Sequence, residues 1–96
     1  MEVRYSQHLE IRLTMRGIPH ELPRIVYENA KRRFHDTDSD LDIAVLRTAF
    51  YGRQRDVVVA YRIYSDYVLL ITIHPLKEGQ FENRIRSGRW TEIPSL

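Results

Sequence analysis

The 96-residue chain predicts an α+β domain: two N-terminal helices packed on a three- to four-stranded antiparallel meander, closed by a short C-terminal helix or tail. Three observations carry this expectation. Apolar residues recur at helical spacing up to Asn29, the period drops to two between Leu41 and His74, and beyond Pro75 the pair Phe81 and Ile85 stands four apart among charges. A chain this short buries only roughly 60–65% of its unfolded surface, which leaves room for one core. A single domain over residues 1–96 is therefore expected, with helices over about 6–30, strands over about 41–75 and an appendage over about 77–96.

Ser6 is placed to cap a first helix whose stripe is Leu9 and Leu13, with Ile11 and Met15 nearby and Gly17 as its stop. Leu22, Ile25 and Val26 form the stripe of a second helix ending near Asn29, and Pro23 moves its start to Leu22 or Pro23. The cluster Lys31-Arg32-Arg33 reads most simply as a complement to the negative end of that helix, with anion contact as the alternative. Next come the alternating aspartates from Asp36 to Asp42. They open like a calcium loop, but Leu41 stands where the loop needs glycine and Arg47 where it needs glutamate, so the run reads as a solvated connection.

A long strand is expected from Leu41 to Tyr51, with Gly52 to Arg55 as its turn. A second follows from Asp56 to Tyr64, and a third from Tyr67 to His74 stops at Pro75. Both faces of the last two are apolar. One should lie on the helices, and the other should meet the tail, where Phe81, Ile85 and Trp90 can fold back, or a partner.

Composition excludes several chemistries. Without cysteine there is no disulfide framework, thiolate zinc site or thiol nucleophile. No glycine-rich phosphate loop and no metal-ligand spacing occurs, so neither metal nor cofactor is expected. No apolar run approaches the ~20 residues of a membrane span, and Met1 to Tyr5 leads into polar Ser6, Gln7 and His8 rather than the centre of a signal peptide, which points to the cytoplasm. Thirteen arginines and two lysines, Lys31 and Lys77, give a net charge of only +2. Residues 1–35 hold seven positive against four negative side chains. That choice of arginine favours forked binding of phosphate or carboxylate.

On a helix, His8, Arg12 and Arg16 drift by about 40° per step and form one polar ridge. Arg62 interrupts an apolar strand, where it needs an acid, a carbonyl, an anion or solvent. His74 closes the last strand. RNA cleavage by attack of a 2′-hydroxyl on its own phosphate needs a proton acceptor, a proton donor and cations around the phosphorus. An unperturbed histidine titrates near ~6.5, so His8 and His74 suit the proton steps, while Arg12, Arg16 and Arg62 can clamp the phosphate. A second cluster, Lys77, Arg84, Arg86, Arg89 and Trp90, could lie along an RNA backbone with the indole stacked on a base. Tyr64 and Tyr67 flank a turn and could stack likewise.

The stretch Tyr5-Ser-Gln-His-Leu-Glu-Ile-Arg-Leu-Thr-Met-Arg-Gly-Ile-Pro19, the strand end Ile71-Thr-Ile-His-Pro75, and Arg86-Ser-Gly-Arg-Trp90 resemble a family of small domains grouped with the RelE/ParE and BrnT toxins. The shared pattern is a histidine early in the first helix, an arginine four residues on, another before a Gly-Ile pair, and a Thr-containing final strand. This resemblance implies a RelE-like toxin fold, with two helices on a twisted antiparallel sheet. It also implies cleavage of RNA or ribosome-bound mRNA without a metal, and a cognate antitoxin as protein partner. The chain departs from the RelE pattern in showing no clear strand before the first helix and no tyrosine near its C-terminus. A non-catalytic protein- or RNA-binding module, acting through the second sheet face and the tail and able to pair as a homodimer, is the alternative expectation.

Overall fold

A computed structural model describes residues 1–94. Ser6 shapes the start of the chain: its hydroxyl accepts the Leu9 N–H at 3.0 Å and donates to the Ile71 carbonyl at 3.3 Å, capping a helix while tying it to a distant strand. Before it runs β1 (Glu2–Tyr5), and after it α1 (Gln7–Arg16), which stops where Gly17 takes φ 62° and returns its N–H to Leu13 and Thr14. Proline in the first turn fixes the start of α2 (Leu22–Asn29).

The strands that follow are β2 (Arg32–Asp36), β3 (Leu41–Phe50), β4 (Arg53–Ile63) and β5 (Tyr67–Pro75), and then α3 (Gln80–Arg86) and β6 (Trp90–Ile93) close the chain. Between β3 and β4 the turn is shorter than expected. Tyr51 and Gly52, with φ 51° and 78°, make the left-handed two-residue connection that matches the strand twist, so pairing resumes at Arg53.

The expected three- to four-stranded antiparallel meander under two N-terminal helices, and with it the RelE-like toxin fold, is corrected by the sheet. Six strands lie in the order β1-β5-β4-β3-β2-β6, and β1 runs parallel to β5, so the sheet is mixed. Three strands escaped the sequence pattern for physical reasons. β1 and β6 are four residues long, too short to show alternation, and their partners β5 and β2 lie more than fifty residues away. β2 reads Arg-Arg-Phe-His-Asp, and its charges are satisfied one by one: Arg32 by Glu92, Arg33 by the Tyr27 carbonyl, His35 by Asp40 and Asp42, Asp36 by Arg89. The Arg33 contact does fall on the last turn of α2, where the sequence placed a cation. Asp36, expected in a solvated connection, is buried.

Helices α1 and α2 cover one face, where Leu9, Leu13, Leu22 and Val26 meet Ala44, Val57, Val59, Val68 and Leu70. The opposite face carries Phe34, Ile43, Val45, Val58 and Ala60, closed by Leu76 and Trp90 with Phe81 of α3 packed against them. The C-terminal segment thus occupies the sheet face that the sequence left open.

Candidate functional site

Two elements build the candidate site. Burying Leu9 and Leu13 turns the neighbouring positions His8, Arg12 and Arg16 along the exposed flank of α1. On the other side, β1 pairs with β5 only from Tyr67 to Leu70, because Ser6 then bends the chain into α1. From Ile71 onward, no strand among the described residues lies along that edge of β5. A groove of about 300 Å3 lies there, lined by His8, Leu9, Arg12, Arg16 and by Ile71, Thr72, Ile73 and His74. At Ile71, one of these lining residues, the β4–β5 register steps between Ala60 and Tyr61, a β-bulge that re-aims the residues that follow.

Four of the five expected catalytic residues therefore meet. Arg62 does not join them: it is exposed near the end of β4, opposite Leu69, and its guanidinium approaches the Asp40 carbonyl at 3.5 Å. Solvent resolves the burial problem expected for it. Thr72 lines the groove and was missed as a site residue; the lone hydroxyl within the apolar run Val68–Ile73 was the available signal.

Among the described residues, no carboxylate lines this groove. Arg12 and Arg16 form no ion pair among the described residues, unlike Arg4, Arg32 and Arg47, which face Glu2, Glu92 and Asp56. His74 keeps an exposed edge. Even so, crowding by the surrounding chain pushes its pKa below the ordinary histidine value, and the charges of Arg84 and Arg89 push it further down. The neutral form is thereby favoured.

The C-terminal cluster divides. Trp90 is 4% exposed and stacks on Phe34 at 5.4 Å, so its indole packs the core and is not free to stack on a base. Its Nε1–H has no hydrogen-bond acceptor among the described residues. Arg89 grips Asp36 with two nitrogens at 3.1 and 3.2 Å. Lys77 lines a separate hollow that also holds Arg53, Arg55, Asp56, Glu78 and Glu82, and Arg86 is exposed at the end of α3. Arg84 is half-buried, three residues beyond Phe81 on α3. Tyr64 and Tyr67 stack on each other at 4.8 Å, with the Arg4 guanidinium over Tyr67.

No group of three or more His, Asp or Glu that could hold a metal ion occurs among the described residues. Nor is any described helix long and apolar enough to cross a membrane. In comparison with known proteins, no family model, curated protein or solved structure matches the chain.

Proposed function

We propose that the chain is a toxin-like endoribonuclease that cleaves RNA in the groove between α1 and β5. One observation supports this reading: His8, Arg12 and Arg16 on one wall and His74 on the other line a groove that, among the described residues, holds no acid. Such a groove attracts a phosphodiester and repels nothing anionic. His74, whose neutral form is favoured, accepts the proton of the 2′-hydroxyl as its oxygen attacks the adjacent phosphorus. The bond from phosphorus to the 5′-oxygen breaks, and His8 on the facing wall gives that oxygen its proton. The products are a 2′,3′-cyclic phosphate and a 5′-hydroxyl. Arg12 and Arg16 hold the non-bridging oxygens and stabilise the charge that builds on them. An antitoxin is the partner this reading expects.

Expression in growing cells tests it, with Arg12→Ala shown by circular dichroism to be folded. Growth arrest with new RNA ends, absent in the variant, is expected. Unchanged growth and RNA ends would overturn the reading. Exposed Ile11 and Met15 on the outer side of α1 favour a second reading, a protein-binding face. Its sign would be an association state altered by Met15→Glu while RNA remains uncut.

A further inference from the structure

His74 belongs to two surfaces. It lines the α1 groove, and its register partner on β4 is Val58, a residue of the opposite sheet face. Thr72 pairs in the same way with Ala60. The unpaired edge of β5 is thus a ridge over which the α1 groove opens onto the face covered by α3. On that face Phe81 packs into the core, and Arg84 follows it on the same side of α3, half-buried and in no ion pair among the described residues. Arg89 comes next, fixed by Asp36 at 3.1 Å and close to Asp38 at 3.7 Å. Its pairing with Val58 places His74 towards the face that α3 covers, and the charges of Arg84 and Arg89 bear on it there. A band of basic side chains therefore runs from Arg16 and Arg12 past His8 and His74 to Arg84 and Arg89. Asp36 and Asp38 hold Arg89 at its end.

We propose that this band is the track of a single RNA strand, which passes over the β5 edge at His74 and places a neighbouring phosphate on Arg84, with Arg89 beside it. The proposal rests on the cleavage reading above and specifies its substrate as single-stranded. The groove of about 300 Å3 has the scale of a nucleotide rather than a helix. A chain that must turn from one face of a sheet to the other needs freely rotating backbone bonds, which an A-form duplex lacks. Attack of the 2′-oxygen in line with the leaving 5′-oxygen needs the same freedom. Binding through backbone charges with little base contact is how single strands are held without sequence preference.

The test is fluorescence anisotropy with labelled 2′-O-methyl RNAs of mixed sequence, three and eight nucleotides long, which bind but cannot be cut. Wild-type protein should hold the longer strand about tenfold more tightly than the shorter, since only the longer reaches Arg84. In Arg84→Gln, which keeps the side-chain stem, that ratio should fall to about two, and the salt dependence for the longer strand should flatten by about 0.7 in slope for the lost phosphate. Arg24→Gln, a charge change on α2 beside Val3 and Tyr5 and outside the lining of the groove, should keep the wild-type ratio. An unchanged ratio in Arg84→Gln, or equal binding of an eight-base-pair duplex, would overturn the track while leaving the groove's own role standing. Wild-type protein that binds neither strand would overturn the cleavage reading itself.

Discussion

Asp36 is 4% exposed and accepts two guanidinium nitrogens of Arg89 together with the backbone N–H groups of Asp38 and Ser39. Burial alone would raise its pKa. The Arg89 contact, the two N–H groups and the arginine charge outweigh that and bring it down to about 2. A carboxylate whose folded pKa lies below its unfolded value stabilises the fold above the unfolded value and loses that contribution as pH falls through the folded one. The shift corresponds to about 2 kcal/mol. Asp36→Ala, which leaves Arg89 without its partner, should cost about 3 kcal/mol at pH 7. Urea unfolding of the variant should also lose the wild-type fall in stability between pH 4 and 2, and an unaltered acid profile would contradict the assignment.

Two histidines have opposite signs. His35 holds Asp42 at 2.9 Å and Asp40 at 3.0 Å; the Asp42 hydrogen bond leads in raising its pKa, with burial opposing and Asp40 assisting. Its contribution is complete below the ordinary histidine value and lost as pH rises through the raised one. His74, lowered by burial and by Arg84 and Arg89, destabilises the fold as pH falls below that ordinary value. Relative to wild type, stability should therefore fall on acidification from pH 7 to 5 in His35→Gln and rise in His74→Gln; relative changes of equal sign would contradict the pair of assignments. For cleavage, the acidic limb of the kcat/KM profile should lie below pH ~6.5, because the proton acceptor is the lowered histidine.

At the scale of elements, the C-terminal segment acts as part of the core. Trp90 joins Phe34 at 5.4 Å and Phe81 at 6.1 Å, and β6 completes the sheet beside β2. Trp90→Ala should cost about 3–5 kcal/mol. Trp90→Phe, which keeps a ring and removes a buried N–H without an acceptor, should cost about 1 kcal/mol. Thermal unfolding distinguishes these from an exposed, RNA-stacking indole, whose removal would leave stability nearly unchanged. The sequence made α1, α2, β3, β4 and β5 legible because each carries its apolar period and its own stop signal. It hid β2, whose every polar group is answered from another element, and β1, whose parallel pairing with β5 depends on residues more than sixty positions away. The α1 wall of the site was legible from the four-residue spacing of His8, Arg12 and Arg16. Thr72 was not, since the β-bulge at Ile71 that sets the residues after it is a property of the paired strands.

In the molecule as a whole, β5 is where the sheet and the first helix meet. It has β4 along one edge, β1 along part of the other, and the flank of α1 along the remainder. That incomplete edge brings a helix ridge and a strand end, sixty residues apart in sequence, to one acid-free groove. The most direct measurement is incubation of the purified protein with a defined single-stranded RNA, followed by detection of 2′,3′-cyclic phosphate and 5′-hydroxyl ends. Wild-type protein should produce both, and Arg12→Ala, with an unchanged circular dichroism spectrum, should be slower by about a hundredfold or more. Uncut RNA with the wild type, or equal cleavage by the variant, would contradict a catalytic groove between α1 and β5.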